Sequence, residues 1–381
     1  MLSDALLKST VGFDRAAGFS DHGVNVHLDS KQQNGLMMWE NMVTGTRSDE
    51  LLLSTASNGG DEAHLNIALS NTNKQTLPET GYSVFYDVRK STADGWVRVG
   101  DVSETPQLSI PLLNNEGKSM GASGFYRLTT LIVPHENNSI TNELPSVNIV
   151  GVLEVASTMT NTLVAVPWVS LAQDPKLADS SAVKISDFVN TSHLTHGDSL
   201  QVANKGFIYN QWNWDKTGNK WDKSQTITKS GVVTPSDANE HSLNRNGTVW
   251  VSRNNPEAKP FFVIGQYSSS SVSLTIEAGS AEKRVCTLVP NPSLEAVAVN
   301  SYNWNGKPVV GDFIRIPNEK GVPLNLSWNG SEWGRYVKVP GERYSVWRNN
   351  EVVPAGTGFW YMRQGGESFE ITLPKSDPSA R

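Results

Sequence analysis

An internal repeat constrains the fold of this chain more than any other feature of its sequence. Residues 196–223 read HGDSLQVANKGFIYNQWNWDKTGNKWDK, and residues 310–336 read VGDFIRIPNEKGVPLNLSWNGSEWGRY. Each segment opens with Gly-Asp and an alternating strand. A small turn, a second strand with aromatic residues, an Asn/Gly-rich turn and one further tryptophan follow. Such self-similarity indicates one supersecondary unit that is used twice.

A further strand is shared downstream of each segment. GTVWVSRNN (247–255) matches GTGFWYMRQ (356–364), and both contain the pattern Trp-x-x-Arg. Closing strands, FFVIGQ and FEITL, follow in the two copies. The matching pairs are Gly197-Asp198 with Gly311-Asp312, and Trp250/Arg253 with Trp360/Arg363.

Tryptophans dominate the hairpin of each copy and admit two interpretations. Cross-strand aromatic pairs stabilise hairpins by roughly 0.2–1 kcal/mol each, which favours tryptophans that pack the hairpin onto its own small module. The alternative is an open aromatic platform for a sugar ring, in which Trp212 lies on the sheet face opposite Trp214 and is exposed. The candidate ligand-binding residues are Trp212, Trp214, Trp221, Trp328 and Trp333.

The remaining pattern predicts an all-β protein. In GYSVFYDVRKSTADGWVRVGD, aromatic and β-branched runs flank Asp94-Gly95, a dipeptide typical of tight hairpin turns. Strands at this spacing favour a β-sandwich. We therefore expect an N-terminal β-sandwich followed by two related small β-sandwich or barrel modules. One short helix is predicted near residues 184–192, where Ile185, Phe188 and Val189 share a face.

The predicted organisation has six parts. The boundaries follow composition shifts and the start of each repeat. The six parts are an N-terminal arm (1–20), a β-sandwich domain (21–134), a linker (135–147), the first β module (148–280), the second β module (281–375) and a tail (376–381).

The N-terminal arm carries a candidate assembly element. Leu2, Leu6 and Leu7 lie roughly on one face of one or two helical turns. A helix this short needs a partner surface to be stable. The arm is therefore either frayed or docked on a neighbouring subunit.

Composition excludes several classes of partner. The net charge is −6 and Lys and Arg form no block, so a nucleic-acid partner is not expected. Cys286 is the only cysteine, so neither an intrachain disulfide nor a cysteine-based zinc site is expected. No apolar run approaches the ~20 residues of a membrane span. The start, MLSDALLKSTVGFDR, lacks the basic and apolar regions of a signal peptide.

No catalytic constellation stands out. GKSMG (117–121) matches Gly-x-Ser-x-Gly around Ser119, but a strand rather than a helix follows it, so we predict a hairpin loop. Asp and Glu fall mostly in turns, and the histidine pairs have no evident third ligand. We therefore predict no enzyme, no catalytic or metal-binding residue and no cofactor.

The repeat resembles a known group of proteins. NTLVAVPWVSL, the Gly-Asp strand, the Trp hairpin and GTVWVSR are similar to segments of poorly characterised β-rich exported proteins of Verrucomicrobia- and Lentisphaerae-like bacteria. The resemblance covers residues 150–375, as two copies. It implies export and a surface or extracellular role, and it brings no assigned activity.

Three hypotheses for function follow. The first is a non-enzymatic extracellular or cell-surface structural subunit that self-associates into a homo-oligomer or polymer through its edge strands. The second is a glycan-binding surface protein that uses exposed hairpin tryptophans. The third is a virion or phage-tail decoration protein. Exposure of the five tryptophans separates the second hypothesis from the others.

Overall fold

The computed structural model describes 26 strands. The described residues are 64–68, 82–105, 107–114, 116, 118–135, 142–146, 149–155, 161–168, 182–185, 194–203, 209–218, 220–222, 225–227, 242–245, 247–255, 260–280, 282, 284–304, 307–317 and 322–378. The strands are β1 (His64–Ala68), β2 (Tyr82–Thr92), β3 (Gly95–Ser103), β4 (Gln107–Pro111), β5 (Gly124–Pro134), β6 (Asn142–Pro145), β7 (Val150–Val155), β8 (Asn161–Ala165), β9 (Ala182–Lys184), β10 (Ser199–Ala203), β11 (Tyr209–Asp215), β12 (Lys220–Trp221), β13 (Gln225–Ile227), β14 (Ser242–Asn244), β15 (Thr248–Ser252), β16 (Phe261–Gln266), β17 (Ser273–Ile276), β18 (Val285–Pro290), β19 (Val297–Ala298), β20 (Phe313–Ile316), β21 (Leu324–Trp328), β22 (Trp333–Lys338), β23 (Ser345–Arg348), β24 (Val352–Val353), β25 (Gly358–Arg363) and β26 (Phe369–Thr372).

The strands form several antiparallel sheets, which confirms the all-β prediction. Within the described ranges no sheet closes into a barrel, so the modules are open sheets that stack. Among the described residues the one 3₁₀ turn is Val299–Ser301. The predicted helix at 184–192 and the arm with Leu2, Leu6 and Leu7 fall outside the described residues, apart from positions 184 and 185.

The sequence repeat is also a repeat of topology. The first copy has the sheet order β12-β11-β10-β15-β8, with β13 beside β11, and the second has β22-β21-β20-β25-β18, with β23 beside β22. The registers agree as well. Leu200 lies opposite both Trp212 and Val251, and Ile314 lies opposite both Leu326 and Tyr361.

A third six-stranded sheet, here called the central sheet, has the order β16-β7-β5-β2-β3 with β6 beside β5. The chain leaves this sheet after β7, builds the first copy, and returns to it as β16, which pairs with β7 along its whole length. The predicted boundary at residue 148 therefore runs through one hydrogen-bonded sheet. The predicted linker at 135–147 contains β6, which pairs with β5 from Asn142 to Pro145. A polar strand that ends in proline is tolerated there because it lies at an edge.

Strands β5, β7 and β16 of the central sheet are buried on both faces. One face packs on the first copy and the other on the β1–β4 pair, which explains why the β7 sequence VGVLEV is apolar almost throughout. The core between the central sheet and the first copy includes Phe125, Leu153, Val155 and Val263 together with Val164, Leu200, Trp212, Trp214, Trp221, Val249 and Val251. The core on the other face includes Leu65, Val88, Leu128, Val150, Val152, Phe262 and Ile264.

The second copy builds its own core. Its sheet is covered by the β17–β26 and β19–β24 pairs and by the 3₁₀ turn. Aromatic rings fill this core: the ring of Trp304 stacks on Tyr361 at a centroid distance of 5.5 Å. The remaining core residues include Ile276, Val289, Val299, Tyr302, Ile314, Ile316, Leu326, Trp328, Trp333, Val353, Phe359, Phe369, Ile371 and Leu373.

The two copies meet through their outer faces at equivalent positions. Trp250 and Trp360, which match in the repeat, contact each other with centroids 5.2 Å apart. Strand β8 contacts β25, and its counterpart β18 contacts β15. The backbone N–H of Ala165 also donates to the carbonyl of Gly356 at 2.8 Å. Reciprocal contacts of this kind characterise an isologous interface, here formed within one chain.

Candidate functional site

The five candidate tryptophans are all buried. The exposed fractions are 0% for Trp212, 3% for Trp214, 6% for Trp221, 8% for Trp328 and 0% for Trp333. None of them offers an open ring face, so the prediction of a sugar platform at these residues is corrected. Trp212 was expected on the face opposite Trp214, but residues two apart on a strand share a face. Both therefore point into the core.

The hairpin tryptophans pair across strands in both copies. Trp214 lies opposite Trp221 with centroids 5.2 Å apart and an interplanar angle of 70°. Trp328 lies opposite Trp333 at 5.3 Å and 58°. These edge-to-face and tilted arrangements suit aromatic quadrupoles and hold the second strand of each hairpin onto the sheet.

The Gly-Asp and Trp-x-x-Arg motifs meet in the first copy as a buried ion pair. Arg253 Nε lies 2.8 Å from Asp198 Oδ2, and neither side chain is exposed. The carboxylate also accepts from the Thr195 N–H and hydroxyl, each at 2.9 Å, and from the Asn254 N–H at 2.8 Å. Burial lowers the pKa of the Arg253 guanidinium, and Asp198 opposes that shift. The carboxylate thus ties the turn before β10 to the end of β15.

The second copy repeats this arrangement, with a tyrosine hydroxyl in place of the threonine hydroxyl. Asp312 accepts from the Val309 N–H at 3.0 Å and from the Gln364 N–H at 2.7 Å. The Tyr361 hydroxyl donates to Asp312 at 2.5 Å, and Arg363 lies 3.5 Å from the same carboxylate. Burial and this hydrogen bond raise the pKa of Tyr361 far above its usual value. The repeated motifs are therefore structural. Their recurrence was visible in the sequence, but their contact was not.

Copy two also carries an aromatic pair on its outer face that the sequence analysis did not single out. Tyr336 lies opposite Trp347 in the β22–β23 ladder, with centroids 5.0 Å apart and an interplanar angle of 68°. Tyr336 is 73% exposed and Trp347 is partly exposed. The indole of Trp347 lies against Gly334. A Cβ at that glycine would be 2.5 Å from ring atom Cε2.

Hydrogen bonds fix this indole in place. Trp347 Nε1 donates to Glu332 Oε1 at 2.9 Å, and Asn349 Nδ2 donates to Glu332 Oε2 at 2.6 Å. The Asn300 amide donates to the carbonyls of Trp333 and Asn349, both at 2.9 Å, which joins the two strand ends. Glu332 and Asn349 also line a cleft of about 490 Å³. Its other lining residues are Asn300, Tyr302, Asn303, Trp304, Trp328, Gly330 and Ser331.

The central sheet holds a separate charged cluster. Asp87 is fully buried and lies 3.1 Å from Arg89 Nε and 2.8 Å from Arg98 Nε. Arg89 also forms two hydrogen bonds with Glu143, at 2.7 and 2.6 Å, and this pairing lowers the pKa of Glu143. Each carboxylate faces a guanidinium, so the cluster links β2, β3 and β6.

The remaining chemistry predicted from sequence has a plain structural context. Ser119 lies in a loop closed by the Leu113–Ser119 bridge, as predicted, and its hydroxyl donates to the Glu154 carboxylate. Across the described ranges, no three or more His, Cys, Asp or Glu side chains are grouped so that they could hold a metal ion. No helix in that same part of the chain has the length and apolarity needed to cross a bilayer.

The outer face of β22–β23 and the adjoining cleft form a candidate site. The repeated motifs and the predicted tryptophans are buried in the cores, and of these tryptophans Trp328 also lines the cleft. Comparisons with protein-family models, curated proteins and solved structures find no match for this chain.

Proposed function

We propose that this protein is a non-enzymatic structural subunit, located outside the cell or at its surface, that self-associates through an exposed sheet edge. The observation that carries the proposal is strand β3. It is nine residues long and lies at the end of the central sheet, and among the described strands it pairs only with β2. An edge strand with free backbone groups is a template for strand addition by another chain.

The side chains of β3 support this role. Val97 is 48% exposed and Val102 is 40% exposed, so the edge presents apolar groups to solvent. Lysine and proline, which often keep an edge strand unpaired, are absent from β3, and its charge is limited to one arginine and one aspartate. Trp96 holds the strand to the sheet, because Arg127 lies over its ring at 4.3 Å. The edge is thus both anchored and accessible among the described residues.

The residues that recur in the two copies support a structural role for the protein. The polar and aromatic groups that recur in both copies are used to close turns and fill cores, as the Asp198–Arg253 pair and the hairpin tryptophans show. The low charged fraction of 18% and an exterior rich in Asn, Ser and Thr fit a secreted polar surface.

Electron microscopy across a concentration series, combined with light scattering, tests the proposal. We expect filaments, sheets or closed rings from the unmodified protein. The double variant Val97→Lys/Val102→Lys places charge on the edge and should leave single particles. A matched control, Val322→Lys, changes a valine that is 69% exposed outside β3 and should assemble normally. An unmodified protein that stays monomeric at every concentration contradicts the proposal.

A further inference from the structure

We propose that the outer face of the β22–β23 hairpin binds a pyranose residue of a polysaccharide, with Trp347 as the stacking surface and Tyr336 as its side wall. This site is independent of the β3 edge, and it differs from the buried hairpin tryptophans of the repeat. The ligand class that it fits is a β-linked chain whose sugar rings carry equatorial hydroxyls.

The platform is held rigid before any ligand arrives. The absence of a side chain at Gly334 lets the indole of Trp347 lie close against the strand, since any Cβ there would meet ring atoms Cε2 and Cζ2 at 2.5 and 2.6 Å. The hydrogen bond from Trp347 Nε1 to Glu332 sets the rotation of the ring. A preorganised ring loses little conformational entropy when it binds a ligand.

The chemistry of the surface matches a sugar ring. A pyranose with equatorial hydroxyls presents its axial C–H bonds on the two ring faces, and these bear partial positive charge. They are attracted to the electron-rich face of an indole, as other positive edges are. The sugar hydroxyls point outward in the ring plane, where amide and carboxylate groups can accept or donate hydrogen bonds.

Such groups lie in the adjoining cleft. Glu332 and Asn349 line the cleft, and Glu332 also accepts the hydrogen bond from the indole N–H of Trp347. Asn303 lines the cleft with an exposed side chain. The volume of about 490 Å³ falls in the range of small-ligand sites. The mixture of amides, a carboxylate and aromatic rings is suited to a neutral, hydroxyl-rich ligand.

The repeat itself argues that this surface is not needed for folding of the module. Trp221 is the first-copy counterpart of Trp333, so Asp222 occupies the position of Gly334. An aspartate there excludes an indole lying flat on the strand. Among the described residues of the first copy, no strand lies beside β12 as β23 lies beside β22. The described part of the first copy thus has the five shared strands without this platform.

Isothermal titration calorimetry with cellohexaose, xylohexaose and chitohexaose tests the site. We expect at least one of these β-1,4-linked hexasaccharides to bind the full-length protein and to change its tryptophan fluorescence. Trp347→Ala should weaken that binding by about tenfold or more, as loss of a central aromatic contact usually does. Tyr336→Ala should weaken it as well, and because Tyr336 is 73% exposed this variant should fold normally.

Tyr344→Ala is the matched control, because it removes a 57% exposed ring from the same hairpin outside the Tyr336–Trp347 pair. Its dissociation constant for the hexasaccharide should lie within about twofold of that of the unmodified protein. The proposal is overturned if no hexasaccharide binds at millimolar concentration, or if both platform variants bind as tightly as the control. It is also overturned if those variants abolish self-association while sugar binding is absent, since the face would then be a contact between copies.

Discussion

At the scale of single residues, buried charge defines the module. Asp198 and Arg253 have fully buried side chains, and their counterparts Asp312 and Arg363 are nearly so. Removing two charges from water is costly, and attraction between them offsets that cost only when other hydrogen bonds complete the site. The backbone donors around each aspartate supply those bonds on the carboxylate side of the pair. The pair therefore fixes the turn and the register of the module more than it adds stability.

Replacing one partner of the ion pair should lower the free energy of unfolding by far more than the intact pair contributes to it. Arg253→Met leaves Asp198 buried beside backbone donors but without its counter-charge, and we expect a loss of about 3–5 kcal/mol in the free energy of unfolding. Urea unfolding monitored by tryptophan fluorescence measures this. Arg348→Met, at an exposed arginine, is the control and should change stability by less than about 0.5 kcal/mol. A loss below about 1 kcal/mol for Arg253→Met would show that the pair is dispensable.

At the scale of elements, turn chemistry determines where strands begin. The sequence predicted the hairpin at Asp94-Gly95, and the structure has β2 ending at Thr92 and β3 starting at Gly95, whose φ is 106°. The Gly-Asp turns follow the same rule, since Gly197 and Gly311 have φ values of 85° and 103°. Such local signals can be found in sequence because they depend on one or two residues.

Gly311→Ala should destabilise the second copy. The alanine would be strained at φ 103°, and its Cβ would lie 2.8 Å from Gln364 Oε1. We expect the free energy of unfolding to fall by about 1–2 kcal/mol, as measured by thermal and urea unfolding. Gly365→Ala is the matched control. The Cβ of that alanine would approach Val309 no closer than 4.0 Å. The stability of this variant should therefore be close to that of the unmodified protein. Equal effects of the two changes would contradict this explanation.

Pairings between distant elements were not accessible from sequence. By their positions in the sequence, β7 and β16 fall within the predicted first module. In the structure they pair with each other across more than a hundred residues and join the central sheet. The apolar pattern of β7 shows that both faces are buried but not by which neighbours. The candidate site was missed for a related reason. Gly334 and Trp347 lie 13 residues apart on the two strands of one hairpin, and the register of the β22–β23 ladder brings the indole onto the glycine.

At the scale of the whole molecule, a central sheet and two related modules share one chain. The first module is covered by the central sheet, whereas the second is covered by its own short strand pairs and aromatic core. The modules join through Trp250 and Trp360, and Gly358 lies beside Thr248 at the same interface. The absence of a side chain at Gly358 permits this close approach, because a Cβ there would lie 3.1 Å from Thr248 Cγ2.

The Trp250–Trp360 contact should couple the stability of the modules. In a double-mutant cycle with Trp250→Ala and Trp360→Ala, we expect a coupling energy of about 0.5–1.5 kcal/mol, the value typical of aromatic pairs. Calorimetry of the double variant should resolve two unfolding transitions in place of one. Trp214→Ala and Trp221→Ala, each combined with Trp360→Ala, provide the control, since these tryptophans lie in the core of the first module and Trp360 lies at the interface, so their losses should add. An additive result for Trp250 and Trp360 would mean that this ring contact does not couple the modules.

The reciprocal contact between the copies has a consequence for sequence change. Two related modules that meet through matching faces have the geometry of a homodimer joined in one chain. In a true homodimer one gene encodes both sides of the interface, so every substitution occurs twice. Here each module has its own codons, so a residue can change in one module and stay unchanged in the other. Asp222 and Gly334, at the same place in the two modules, are one such difference.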